Sequence, residues 1–327
     1  MMAEITLSQA TQQALDEAMA ADPTVLVFGE DVADPEGGGI MGSTAGLSTK
    51  YGSRVRSTPI SEQAIAGAAV GAAIAGMRPV AEIMLMNFIT VAMDMIVNHA
   101  AKTRFMSGGK TAVPLTIRTM SGAGIGAGGQ HSDMYEAWLA HVPGLKVVVP
   151  SNAADQKALL KSCIFDDDPC IFVETTYIQF MKGEVPADYE APLGKAKVSR
   201  EGTDVSIIGY GRPILDALAV AEKLAAEGIS VEVVDLRTVM PWDQETVFKS
   251  VAKTKRAVTL HEAVVQFGVG AEISSRIHEE LFDTLKAPVQ RVGSMNTIVP
   301  YSAPLEQNFM WSQDKIEAAI RRTLERK

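Results

Sequence analysis

Glu62 is the residue of this chain best placed to do chemistry. It closes the run Thr58-Pro59-Ile60-Ser61-Glu62 and opens a stretch with no polar residue from Ala64 to Met77. Ser61 can cap a helix that starts at Glu62, and Gly76 with Pro79 can end it. A helix apolar on every side is expected to be buried, and Gly67 and Gly71 with Ala68 and Ala72 would let a neighbouring helix approach closely. Glu62 then stands at the edge of a buried interface, where a lone carboxylate is costly unless something hydrogen-bonds it. It serves there either as a helix-dipole partner or as a carboxylate facing a ligand. Glu30, just after the apolar run Thr24 to Phe28, is a second acid at a strand end, where ligands sit in α/β sheets.

His131 follows a glycine-rich segment, Ser121 to Gly129, in the sequence Gly129-Gln130-His131-Ser132-Asp133. Histidine exchanges protons near neutral pH, and a flexible loop before it can open and close over a ligand. The pattern places His131 where that loop meets a helix running from His131 to His141. His99, His141 and His278 fall on helices without partner acids at useful spacing and read as structural, while His261, at a strand end, stays open. Gly124-x-Gly126-x-x-Gly129 matches the dinucleotide fingerprint weakly, because the next strand ends in Val149-Pro150-Ser151 where a ribose-binding acid is needed. Gly209-Tyr210-Gly211 lacks the third glycine. Met84, Met86 and Phe88 end a strand and would ordinarily be core, but they would also wall a flat heterocycle held by Glu62.

Alternating helices and strands are needed to position these groups. Ile5 to Ala21 reads as an amphipathic helix with Ala10, Ala14, Leu15, Ala18 and Met19 inward. A buried strand at Thr24 to Phe28 precedes the central helix. Strands at Pro79 to Met84, Val113 to Arg118, Lys146 to Val149 and Cys170 to Glu174 alternate with helices at Thr90 to Phe105 and from the Asn152 cap to Phe165. After a proline- and charge-rich stretch, strands at Asp204 to Ile208, Ser230 to Asp235, Arg256 to Leu260 and Pro288 to Val292 alternate with further helices. This is an α/β chain with parallel sheets covered on both faces, expected as a domain over residues 1–185, a linker over 186–203 and a smaller domain over 204–327.

Composition narrows the function. The chain has 327 residues, 47% hydrophobic and 21% charged, and a net charge of −9. That balance suits a globular protein and offers no basic footprint for nucleic acid or an anionic membrane. The apolar run Ala64 to Met77 is shorter than the roughly 20 residues a bilayer needs, and no export signal is expected at the N-terminus. Cys163 and Cys170 show no metal-ligand spacing and suit a reducing compartment, so a cytoplasmic location is expected.

The ordered segments Gly29-Glu30-Asp31-Val32, Thr58 to Glu62, Gly76-Met77-Arg78-Pro79, Asn87-Phe88, Ala101-Lys102-Thr103, Met106-Ser107-Gly108-Gly109, Gln130-His131-Ser132, His141 to Val148 and Asp235-Leu236-Arg237-Thr238 resemble the β subunit of thiamine-diphosphate-dependent 2-oxo acid dehydrogenases. The resemblance spans essentially the whole chain, and Ile117-Arg118-Thr119-Met120 is similar to the acetoin dehydrogenase branch. It implies two doubly wound domains, one binding the cofactor's pyrimidine and one like the transketolase C-terminal domain. Glu62 would hydrogen-bond a pyrimidine nitrogen and favour the imino tautomer, whose exocyclic nitrogen deprotonates the thiazolium carbon. Ile60, Met84 and Phe88 would flank the ring, and His131 would transfer protons or receive a lipoyl arm. Glu30 would lie between paired active sites. A potassium ion would be held mainly by backbone oxygens at Leu115, Cys163, Ile164, Asp166 and Asp168, hard ligands of the right kind.

The family's diphosphate and magnesium site uses a Gly-Asp-Gly stretch, and this chain has no Gly-Asp pair. The expectation is therefore an obligate α subunit carrying the magnesium, in an assembly of two α and two β chains, serving a lipoyl-bearing acyltransferase component. Asp133 departs from the glutamine usual in the family, which leaves the substrate open among pyruvate, acetoin and branched-chain 2-oxo acids. Two other readings are a single-chain transketolase-like enzyme, which would need about twice this length, and a catalytically silent module of the same fold.

Overall fold

The computed structural model describes residues 3–325. Two compact units emerge, one from the residues up to 121 with 138–193, the other from 122–137 with the residues from 194 onward. No helix among the described residues is long and apolar enough to cross a membrane.

The first unit opens with strand β1 (Ala3–Thr6), helix α1 (Leu7–Ala21) and β2 (Val25–Gly29). It continues through α2 (Leu47–Tyr51), β3 (Val55–Ser57), α3 (Glu62–Ile74), β4 (Arg78–Leu85), α4 (Ile89–Asp94), α5 (Ala101–Met106) and β5 (Thr116–Ser121). Helix α6 (Glu136–Ala140), whose first two residues are counted with the second unit, β6 (Lys146–Val148), α7 (Ala153–Ile164), β7 (Cys170–Thr175) and β8 (Lys182–Val185) follow. Neighbouring strands in the order β6-β7-β5-β4-β2-β3 are all parallel, and β1 pairs antiparallel with β8. Both faces of β5 and β7 are buried, as expected for a parallel sheet with helices on each side. Helix α1 starts from a capping box in which Thr6 and Gln9 each accept the other's backbone N–H, and its predicted inward residues are all buried. The Asn152 carboxamide oxygen accepts the Asp155 N–H at 2.9 Å and starts α7 as its cap.

Helix α3 departs from the expected all-round burial. Ile65, Ala66, Ala69, Val70 and Ala73 are buried, whereas Ala64, Ala68, Gly71 and Ile74 are exposed. Strand β4, helix α4 and the segment Met95–Ala100 pack against the buried face. A Cβ on Gly67 would sit 3.3 Å from the Met95 sulfur, so that glycine does allow close approach, but a Cβ on Gly71 would meet nothing. Ser61 occupies the N-cap position without its hydroxyl making the capping bond, and Gly76, at φ 93°, turns the chain out of the helix. The helix expected over Thr90 to Phe105 is interrupted by a wide π turn at Met95–Ala100. The helix expected from His131 shrinks to Glu136–Ala140, leaving His131 in the loop.

A buried charge cluster ties the sheet of this unit to two helices. Arg118 on β5 is fully buried and donates to Glu82 on β4 at 2.7 Å and to Glu174 on β7 at 2.6 Å. The second Glu174 oxygen accepts from Thr11 of α1 and Gln156 of α7, both at 2.7 Å. Two acids and one arginine leave one excess negative charge, and burial pushes the Glu82 carboxyl upward against the pull of Arg118.

The second unit contains β9 (Lys197–Arg200), β10 (Val205–Gly209), α8 (Pro213–Ala225), β11 (Val231–Asp235), β12 (Thr238–Met240) and α9 (Gln244–Thr254). Then come β13 (Ala257–Val264), α10 (Val269–Leu281), β14 (Gln290–Ser294), α11 (Ala303–Phe309) and α12 (Gln313–Leu324). Its sheet runs β14-β13-β10-β11-β9, parallel except for β9. Strand β9 lies within the stretch read as a linker. Its polar sequence conceals an edge strand that pairs with β11 and whose Arg200 guanidinium donates to the Val231 carbonyl at 2.7 Å. Ile207, Val233 and Leu260 from the sheet pack with Val220, Leu224, Ile316 and Ile320 from the helices.

Candidate functional site

Strands β3, β2 and β4 lie side by side and parallel, so their carboxyl ends reach the same edge of the sheet. Glu30 follows β2, Thr58 to Glu62 follow β3, and Met84 with Phe88 lies at the end of β4. The Thr58 N–H donates to the Gly29 carbonyl at 2.8 Å, fastening the Thr58–Glu62 segment to the end of β2. Glu62 is the first residue of α3 and is partly buried. Glu30 is also partly buried, and burial together with the negative charges of Asp31 and Glu62 raises its carboxyl above the ordinary value. Met84 and Phe88 are partly buried, Met86 is fully buried, and Ile60 is 73% exposed. An acid at a helix start, a second acid whose titration it affects, and three apolar side chains on one sheet edge can hold a flat ring bearing a basic nitrogen. These residues therefore fit the pyrimidine half of the cofactor.

His131 belongs to the other unit, in the loop between Gly122 and Tyr135. Its N–H donates to the Gly128 carbonyl at 3.2 Å, Ser132 beside it is buried, and Tyr135 donates to Asp133 at 3.0 Å. The glycine segment before it is fastened rather than loose. Glu262 on β13 accepts the Ala123 N–H at 2.8 Å. Glu306 on α11 accepts the Gly124 N–H at 2.7 Å and, through its other oxygen, the Gly126 N–H at 3.0 Å. Arg212 donates to the Ala123 carbonyl at 2.9 Å and lies over the Trp311 ring. The protein's own carboxylates thus take the amides that a nucleotide phosphate would need.

Beneath this loop lies a buried polar cluster. Tyr210 donates to Glu136 at 2.7 Å and stacks on His261, with ring centroids 6.2 Å apart. Burial raises Glu262 to about 7 despite the opposing charge of Arg212, and lowers His261 to about 4. Glu136 is raised by burial against the hydrogen bond from Tyr210. Glu136, Tyr210, Arg212, Glu262 and Glu306 were not singled out from the sequence. His261, expected at a strand end after Leu260, lies with Glu262 inside β13, because the strand runs on to Val264.

At the positions implied for potassium, Leu115, Cys163 and Ile164 are buried apolar or thiol residues, and burial raises the Cys163 thiol well above its ordinary value. The Asp166 carboxylate is held by Lys146 through two 2.6 Å contacts, and Asp168 pairs with Arg104 at 2.7 Å. Among the described residues no cluster of three or more His, Cys, Asp or Glu side chains could hold a metal ion. An alkali cation there would rely on main-chain oxygens.

Comparison with known proteins identifies both parts of the chain. Residues 3–177 match the transketolase pyrimidine binding domain and residues 194–316 the transketolase C-terminal domain. The chain is 43% identical to the acetoin:2,6-dichlorophenolindophenol oxidoreductase subunit beta of Cupriavidus necator, covering 99% of this chain and 98% of the relative. It is 44% identical to the mitochondrial pyruvate dehydrogenase E1 component subunit beta-2 of Oryza sativa, covering 98% and 86%. The chain belongs to the β-subunit family of thiamine-diphosphate-dependent 2-oxo acid dehydrogenases.

A solved split-gene transketolase in an inactive beta4 tetramer shares the β-chain fold at TM-score 0.81 and 24% identity, with 99% of each chain covered. Membership of the family brings thiamine diphosphate as the cofactor and an α subunit as the partner. The match to the pyrimidine binding domain covers residues 3–177, which include Glu62 and Glu30.

Proposed function

We propose that this β chain, joined to an α subunit, decarboxylates a pyruvate-type 2-oxo acid or cleaves acetoin and passes the acyl group to a lipoyl domain. The observation that carries this reading is Glu62, placed at the start of α3 on the edge where Glu30, Ile60, Met84 and Phe88 also lie. When bound, thiamine diphosphate supplies an activated thiazolium carbon and takes up the electrons released by cleavage of the carbon–carbon bond. Glu62 holds a proton against a ring nitrogen on the pyrimidine side. Ile60, Met84 and Phe88 exclude water from the faces of that ring and fix its plane. Glu30, with its raised carboxyl, receives or returns a proton at the same edge. His131 exchanges a proton with the reacting substrate or meets the incoming lipoyl arm.

The diphosphate and its magnesium belong on this reading to the α chain, in an assembly of two α and two β chains, and the lack of any Gly-Asp pair in this chain supports it. Potassium, if bound, uses the main-chain oxygens at Leu115, Cys163, Ile164, Asp166 and Asp168 and steadies the turn after α7. A branched-chain 2-oxo acid is the other substrate class for the same site, and Asp133 is the residue of this chain that differs from the family pattern.

Co-expression with the α-type partner, followed by assay against pyruvate, acetoin and branched-chain 2-oxo acids, tests the reading. Thiamine-diphosphate-dependent turnover of one of them is expected. Glu62→Gln should lower kcat by about a hundredfold or more, the scale of a lost acid–base group. Full activity of the isolated chain, or of the Glu62→Gln complex, would contradict it.

A further inference from the structure

The loop that carries His131 is built to be held, and its holders are acids. Gly122 has φ 115°, and a Cβ there would lie 2.7 Å from a Glu262 oxygen. A Cβ on Gly128 would run into the Tyr301 ring, and one on Gly129 would lie 2.5 Å from the Ile298 side chain. Small residues thus let the segment settle onto β13, α11 and the chain before α11. Ala123, Gly124 and Gly126 turn their N–H groups into two carboxylates, both nearly inaccessible to solvent, with Glu262 4% and Glu306 3% exposed. Three amides held by two buried acids is a costly arrangement for a mere surface connection, since each acid gives up its hydration.

We propose that Glu262 and Glu306 are positioning residues for His131, fixing the Gly122–Gly129 segment through its amides so that the histidine is presented in one conformation. This rests on the reading of His131 as a group that acts on the substrate. Neither acid needs to touch cofactor or substrate. They act on the backbone, and the reach of their effect is the length of the loop. Three groups face Glu262 from the elements around it: Arg212 from the start of α8, Glu136 from α6 and Tyr210 after β10; His261 is its neighbour on β13. Arg212 favours the charged carboxylate, while burial and Glu136 favour the protonated acid. The hold on Ala123 therefore changes character across neutral pH, whereas the hold by Glu306 supplies two amide contacts of its own.

The test uses the assembled complex with its α partner and the best substrate among pyruvate, acetoin and branched-chain 2-oxo acids. Glu306→Ala and Glu262→Ala should raise hydrogen exchange of the amides between residues 122 and 131 about tenfold or more. They should also lower kcat about tenfold to a hundredfold, the cost of a displaced catalytic group, while leaving the KM for thiamine diphosphate within about twofold. Glu306→Gln, which keeps an acceptor, should restore part of both losses. Gly128→Ala lifts the loop against Tyr301 without altering either acid and should reproduce the kinetic pattern, which keeps the test open if an acid variant fails to fold. His131→Ala separates the two readings. If it leaves turnover intact, the role of His131 fails. If it lowers turnover but the acid variants change neither exchange nor kcat, or change kcat with unaltered exchange, the positioning role is overturned.

Discussion

Each unit buries a cluster of acids, and the two clusters are neutralised by different means. In the first, Glu82 and Glu174 sit on either side of Arg118, so most of the negative charge meets a permanent cation at hydrogen-bonding distance. In the second, Glu136 meets the Tyr210 hydroxyl and Glu262 meets a backbone amide, with Arg212 acting on Glu262 only as a neighbouring charge. A proton has to do there what the arginine does in the first unit. The lesson is that a cluster built around a fixed cation ties a sheet together with less dependence on protons than one that has only a hydroxyl, an amide and a more distant charge.

Removing the cation should have the largest effect. Arg118→Met strands two buried carboxylates and is expected to cost about 3–5 kcal/mol in denaturant unfolding, with partial recovery as the pH is lowered and the acids take up protons. A loss below about 1 kcal/mol would show that the first cluster does not depend on its arginine. Tyr210→Phe should cost less, about 1–3 kcal/mol, because Glu136 is already pushed toward its protonated form and loses a donor rather than a charge.

The smallest effect at neutral pH, and the sharpest in form, belongs to Glu262→Gln. The folded-state carboxyl titrates at about 7 against an ordinary 4.5, so between these values the folded chain binds more protons than the unfolded one. Stability from this group is then lost as pH rises from about 4.5 to about 7. His261, lowered from 6.5 to about 4, has the opposite sign, and its contribution is lost as pH falls from 6.5 toward 4. In the wild type the two partly cancel between about pH 4.5 and 6.5. In Glu262→Gln the histidine is left alone, and melting temperature should climb steadily with pH across that window. An unchanged pH profile would remove the contrast between the two clusters.

Much of the first unit was legible because its signals are local. The inward face of α1, the Asn152 cap, the strand-end placement of Glu30 and the helix-start placement of Glu62 follow from local spacing, whereas strand β3 before Thr58 was not anticipated. Expectation failed where burial depends on what lies nearby. The apolar run of α3 could not reveal that one of its sides is left open in the single chain. The polar stretch that becomes β9 hid an edge strand, since edges tolerate charge. Glycine density between Ser121 and Gly129 read as mobility, yet the amides it exposes are taken by Glu262 and Glu306, acids more than 130 positions away in sequence, as the numbering of their partners shows. No local pattern encodes such a pairing.

The interleaving of the two units has a practical consequence. Because residues 122–137 fold with the second unit although the chain on either side of them folds with the first, no single cut divides the protein into its parts. A fragment ending near residue 193 would carry away the His131 segment and leave behind both acids that anchor it. A fragment beginning there would keep the anchors with nothing to grip.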